Sequence, residues 1–323
     1  MRRTIALLAT EFALLAAGVA SGTTEPKSLL EIEKPGIDKI ALFSRRERAT
    51  ILFTLENAVI GYAKEGRVGW IGPTQEPEPS DCSWPHPDLS HDGRRVAFVT
   101  TSVRPKHCRI VIHDIATGDE RDLIETSGDP GEISWSWDDS EIAFCDHGIW
   151  SVSVSNGAKE SLLRFPLDTY TQFSVWYAMQ WLHKGRDLII EVNRPIALKE
   201  PGAIRNVPNM LLARSREARL VDVGSEPSVS PLSDQIAYYA PQGIAVINAD
   251  GTGRAVLAKA PRGFLLLREE LFGRIAWSPD GKRLFFGTLV SDDYHDKVYL
   301  LDVKSGRRET FASRTSINIR SWR

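Results

Sequence analysis

The side chains best suited to chemistry or recognition lie in a few irregular stretches of the chain. The stretch 165–177 holds Tyr170, Phe173, Trp176 and Tyr177. The stretch 193–209 holds Arg194 and Arg205, and the stretch 259–273 holds Arg262 and Phe264. Aromatic and arginine side chains are the types enriched at recognition hot spots. These eight residues are therefore the candidate partner-binding set, to be weighed against simple packing of loop on loop. The run Asp292-Asp293-Tyr294-His295-Asp296 concentrates carboxylates. Asp292, Asp293 and Asp296 could hold Ca²⁺ through oxygen, although their spacing matches no EF-hand and a solvated acidic loop is the simpler reading. Cys82, His86, His91, His107 and Cys108 offer soft ligands but no zinc-like spacing. No Gly-x-Ser-x-Gly elbow, Walker-type phosphate loop or His-Glu-x-x-His occurs. No catalytic residue is assigned on that basis, and no cofactor is expected beyond the Ca²⁺ alternative.

A repeat positions these stretches. Ile275-Ala276-Trp277-Ser278-Pro279-Asp280-Gly281-Lys282-Arg283-Leu284-Phe285-Phe286 is its clearest copy. Related copies start at Pro87, Ile133, Met179 and Pro227, and a partial copy ends the sequence at Ile319–Arg323. Aligned on Ser90, Ser136, Leu182, Ser230, Ser278 and Ser321, they recur every 43 to 48 residues. Within a copy, a short apolar strand meets a Ser-Pro-Asp-Gly turn. A second apolar strand, an alternating third and a polar fourth follow, each bounded by turn residues. Four-stranded units at this period predict an all-β, six-bladed propeller. The last blade is expected to combine the C-terminal strand 317–322 with N-terminal strands at 49–55, 59–63 and 68–71. Met210 to Arg214 reads as the third strand of the third unit, after an irregular loop 193–209. Trp135, Trp181 and Trp277 are expected to wedge between blades.

The Trp-Ser-Pro-Asp-Gly-Lys-Arg-Leu run, with the outer turn Asp250-Gly251-Thr252-Gly253, resembles the repeats of the TolB-like propeller family. The resemblance spans roughly 40–323 and concerns the propeller part only; the α/β domain that precedes it in TolB has no counterpart in this sequence. Similar repeats occur in the propellers of prolyl-oligopeptidase-type peptidases and of some polysaccharide lyases. The resemblance implies fold strongly and function weakly.

The remaining features concern location and partners. Arg2-Arg3 precede an apolar run that ends in small residues near position 20, the pattern of a secretory signal. The sequence thus divides into a signal peptide at 1–21, a linker at 22–39 and the propeller at 40–323. A periplasmic or secreted protein is expected, in which Cys82 could pair with Cys108. A net charge of −2 gives no footprint for nucleic acid, and no stable membrane span is expected. The short Asp-Gly turns fall on one face of the ring and the long, uneven connections on the other, so partners are expected on the long-loop face. The leading expectation is a non-catalytic binding or scaffold module for a protein or an envelope glycan. The alternative is a small glycan lyase or hydrolase at the channel mouth, with Asp292, Asp293 and His295 as its groups.

Overall fold

The computed structural model describes residues 30–55, 59–71, 86–101, 107–146, 148–163, 178–197, 204–214, 217–259, 274–290, 295–313 and 317–323. Among the described residues one helix, α1 (Leu30–Glu47), precedes 24 strands arranged as six four-stranded antiparallel sheets. The first blade comprises β4 (Asp88–Leu89), β5 (Arg95–Thr101), β6 (Cys108–Asp114) and β7 (Glu120–Thr126). The second holds β8 (Ser134–Trp135), β9 (Glu141–Cys145), β10 (Ile149–Ser153) and β11 (Lys159–Leu163). The third holds β12 (Met179–Trp181), β13 (Leu188–Ala197), β14 (Ile204–Arg214) and β15 (Glu217–Val223). The fourth holds β16 (Ser225–Val229), β17 (Gln235–Ala240), β18 (Gly243–Asn248) and β19 (Ala255–Lys259). The fifth holds β20 (Ala276–Trp277), β21 (Arg283–Val290), β22 (His295–Asp302) and β23 (Arg308–Ser313). The inner strands β4, β8, β12, β16, β20 and β24 (Ile317–Trp322) contact one another in succession, and β24 returns to β4. The chain is a six-bladed propeller.

The sixth blade closes the ring as the repeat predicts. Its strand order is β24, then β1 (Thr50–Leu55), β2 (Val59–Lys64) and β3 (Arg67–Ile71). Thr50 N–H donates to the Arg323 carbonyl (2.6 Å) and Arg323 N–H to the Thr50 carbonyl (2.9 Å). The second of these bonds corrects the alignment. In the other blades the anchor residue makes the same bond, as in Ser90 to Arg95, Ser136 to Glu141 and Ser278 to Arg283. Arg323, not Ser321, therefore occupies the anchor column. The two-residue offset arises because the last copy lacks the Pro-Asp-Gly turn that marks register, and because β24 carries a bulge. Leu52 pairs with Ser321 and Phe53 with Ile319, which leaves Arg320 as the extra residue.

The inner strands of blades one to five are bolted in succession. The indole N–H of Trp135, Trp181 and Trp277 donates to the carbonyl of Asp88, Ser134 and Ser228 in the preceding blade, at 3.2, 3.1 and 2.8 Å. The side chains of Asp88, Ser134 and Gln180 in turn accept the backbone N–H of Trp135, Trp181 and Val229. Each bond contributes on the order of 1 kcal/mol, and each burial of an indole considerably more. The Ser-x-Asp pairs staple the first hairpin. Ser90, Ser136 and Ser278 hydroxyls donate to Asp92, Asp138 and Asp280 and accept the N–H that opens the second strand. Gly93 and Gly281 take φ of +67° and +64° in these turns, where a side chain would be strained.

Two elements differ from the sequence reading. The stretch 22–39, read as linker, enters α1 at Leu30, and the helix continues to Glu47. Ile37, Ile40 and Phe43 lie three apart and pack into the core with Phe285, Phe311 and Trp322. Pro35 and Gly36 interrupt the helical signal in the sequence. The helix ends in a Schellman arrangement, with Arg48 at φ +53° and bonds from Arg48 to Arg45 and from Ala49 to Ser44. The loop read at 193–209 is largely strand: β13 and β14 pair continuously from Leu188–Ala213 to Ala197–Ile204. Pro195, Pro201 and Pro208, together with Asn193, Arg194, Asn206 and Asn209, hid it, because prolines and scattered polar residues break the strand pattern. Cys108 is disulfide-bonded; Cys82, the expected partner, lies outside the described residues. Among the described residues no helix is long and apolar enough to cross a membrane.

Removing residues 317–323 takes away the inner strand of the sixth blade and bares the edge of β1. The truncated protein is expected to aggregate and to lose its cooperative melting transition. An unchanged melting temperature would contradict closure by this strand.

Candidate functional site: the charged axis

The inner strands place alternate side chains on the ring axis. The column four residues before the anchor carries His86, Glu132, Ala178, Glu226 and Arg274. In the sixth blade the bulge substitutes Arg320, a re-aiming that bulges commonly perform. Five of these six positions thus converge as one imidazole, two carboxyls and two guanidiniums.

Glu132 is the hub. It accepts from the Arg274 guanidinium and from Arg320 Nη2 (2.6 Å), and its Oε1 lies 3.2 Å from His86 Nδ1. Its residue exposure is 7 % and that of Arg274 is 4 %. Burial alone would raise Glu132, but Arg274, then Arg320 and His86, outweigh it and hold the carboxyl far below the usual carboxylate range. Asp88, one turn of the pleat further in, accepts from Ser321 Oγ (2.8 Å) and lies 3.7 Å from Arg274 Nη1. The fourth blade behaves oppositely. Burial, reinforced by Glu132, pushes Glu226 up to about 7. Glu191 on β13 is also raised well above its ordinary value, by burial and then by Glu226. Glu191 Oε2 accepts the Glu226 backbone N–H at 2.8 Å, and Glu226 sits at φ +51° in the bulge of β16. The axis therefore pairs an ionised carboxylate with a proton-holding one. Such opposed carboxyls are the usual basis of acid–base assignment. Among the described residues, Arg274 Nη1, Arg320 Nε and Glu226 Oε2 have no hydrogen-bond partner.

Tyr170, Phe173, Trp176, Tyr177, Arg262, Phe264, Asp292 and Asp293 lie outside the described residues. Arg194 and Arg205 lie on the β13–β14 ribbon, opposite Val207 and Ile196. His295 and Asp296 open β22, opposite Val290 and Leu289. Of the soft-ligand set, His86 goes to the axis and His91 to the opposite mouth of the channel. Among the described residues no group of three or more His, Cys, Asp or Glu is placed to hold a metal. The axial set was missed in the sequence because each member stands alone, 46 to 94 residues from the next. Reading the repeat by column would have found it: a charged residue recurs just ahead of an apolar strand.

No family model matches the sequence, and no curated protein does. Solved structures do. TolB from Acinetobacter baumannii superposes with a TM-score of 0.55 at 14% identity, over 84% of this chain and 67% of that one. The chain has the fold of the TolB propeller. An oligogalacturonate lyase in complex with manganese gives a TM-score of 0.47 at 15% identity, over 70% of this chain and 64% of that one. The propeller of the trilobed protease from Pyrococcus furiosus gives 0.47 at 13% identity, over 81% and 80%. At these identities the likeness concerns fold.

The raised Glu226 fixes a pH dependence. Its folded-state value of about 7 exceeds the unfolded value, so the folded protein holds a proton that the unfolded chain gives up. Stability is expected to fall as pH rises from about 4.5 to 7, by about 3 kcal/mol at most for a shift of this size. Glu226→Gln should flatten that segment of the profile in urea unfolding at pH 5 and 8. An unaltered slope would contradict the assignment.

Proposed function

We propose that the protein is an exported, non-catalytic propeller that binds a protein or an envelope glycan on its long-loop face. The observation that carries this reading is the ribbon of the third blade. The second and third strands span five to eight residues in the other blades, whereas β13 and β14 span 10 and 11. The inner strand leaves the ribbon at Met179–Ile190 and the outer strand at Val223–Asn209. From Arg194–Val207 to Ala197–Ile204, among the described residues, neither the inner nor the outer strand of its own blade pairs with the hairpin. Ribbon edges that their own blade leaves unpaired suit a partner that adds backbone contacts. Blade five adds a shorter rise at Leu289–Asp296. Export draws support from the signal-like N-terminus and from the disulfide at Cys108, since disulfides persist in oxidising compartments. The aromatic and arginine stretches identified in the sequence would frame the same face.

Affinity capture from an envelope extract, followed by mass spectrometry, tests this. Trp176→Ala combined with Phe264→Ala is expected to abolish capture while leaving melting unchanged. Full capture by that variant would count against the reading.

A second reading rests on the opposed carboxyls of the axis. The channel would then hydrolyse or eliminate across a glycan bond, with Glu132 ionised, Glu226 as proton donor and Arg274 and Arg320 holding a negative group. Glycan release by the wild-type protein that is lost at least 100-fold in Glu226→Gln would favour it. No turnover on envelope glycans would leave the binding reading standing.

A further inference from the structure

The opposite mouth of the channel, on the short-turn face, carries a second constellation. The column just after the anchor holds His91, Trp137, His183 and Pro231 in four successive blades. The first three rings form an arc. The His91 and Trp137 centroids are 4.8 Å apart, and those of Trp137 and His183 are 3.9 Å apart at 70°. Beneath the arc is a narrow pit lined by Asp88, Trp137, Gln180, His183, Pro231 and Arg323.

Arg323 makes this pit unusual. The other five anchors are Ser90, Ser136, Leu182, Ser230 and Ser278, so only here does a long cation replace a small or apolar group. Its Nε is buried without a hydrogen-bond partner, and it has no ion pair among the described residues. The nearby carboxylates are engaged by other groups. Asp139 accepts the backbone N–H of His91 (2.7 Å) and of Asp92 (3.0 Å). Asp88 accepts from Trp135 N–H and Ser321 Oγ. Burial lowers the Arg323 guanidinium against the pull of Asp88 and then Asp139, as expected for a charge lacking a close counter-ion. His183 Nδ1 is likewise buried and without a partner. Leu232, next to Pro231, is 61% exposed. The mouth thus sets a half-buried guanidinium, its Nε enclosed, and a ring nitrogen, both without a hydrogen-bond partner among the described residues, beneath an apolar and aromatic rim.

We propose that this mouth binds a small organic acid, its carboxylate on Arg323 and His183 and its apolar body against Trp137, Pro231 and Leu232. A guanidinium in the pit disfavours a cation. The pit admits little more than a water-sized group, which suits a carboxylate head with its body left at the rim. The site is independent of the long-loop face and of the partner proposed there.

Benzoate is the probe, with uncharged benzamide as its near-isostere, titrated calorimetrically into the full chain. Saturable benzoate binding is expected, at least 10-fold tighter than benzamide. Arg323 closes the ring through its backbone, so Arg323→Met is expected to fold and to weaken benzoate at least 10-fold. Trp137→Leu should weaken it several-fold, and it tests the site independently if Arg323→Met fails to fold. No saturable binding at millimolar benzoate, equal binding of benzamide, or unchanged affinity in both variants would overturn the proposal. Binding of a Phe-terminated peptide without any binding of benzoate would also overturn it, because the site would then belong to chain termini.

Discussion

Closing six sheets into a circle forces alternate inner-strand side chains onto one axis, and a charge placed there is buried. The ion cluster around Glu132 is this protein's solution. Glu132 belongs to the second blade, Arg274 to the fifth, Arg320 to the sixth and His86 to the first. The ties therefore cross the ring instead of running along the sheets. Losing one member of such a buried set costs about 3–5 kcal/mol, since its partners stay buried without a counter-charge. Apolar side chains could fill the same volume at little or no loss of stability. The persistence of charge on the axis is what makes it a candidate for function as well as for closure.

The two faces divide the remaining work. On the short-turn face, Ser and Asp consume their own hydrogen-bonding capacity in stapling the hairpins, and Asp139 ties the second blade to the first. Repeated turns of this kind leave little room for variation, and Arg323 stands out because it breaks the pattern. On the long-loop face the third blade lengthens into a two-stranded ribbon that runs past its own inner and outer strands. Helix α1 does a third job: Phe43 stacks edge-on against Phe285, Phe311 and Trp322, sealing the joint between the fifth and sixth blades.

Architecture was readable in the sequence because turn chemistry recurs at fixed offsets. Pro279-Asp280-Gly281 and the inner-strand tryptophans announce the blades, and the joint of 317–322 with the N-terminal strands follows from counting them. Register at the joint was not readable, since the final copy has no turn and a bulge intervenes at Arg320. Helix α1 was hidden by Pro35 and Gly36, and the far part of β13–β14 by Pro195 and Pro208. Site residues were the least accessible. Loop aromatics such as Trp176 attract attention because they are large, whereas Glu132, Glu226 and Arg274 are single charges whose meaning appears only when the ring brings blades two, four and five together.

The cross-axis tie between Glu132 and Arg320 is most directly tested by a double-mutant cycle with Glu132→Gln, Arg320→Met and the double variant, read by urea unfolding. The structure predicts strong coupling, at least about 1.5 kcal/mol, with the double variant more stable than the sum of the single losses allows. Additive losses would show that the two side chains do not share a buried charge network, and would contradict the account of the axis.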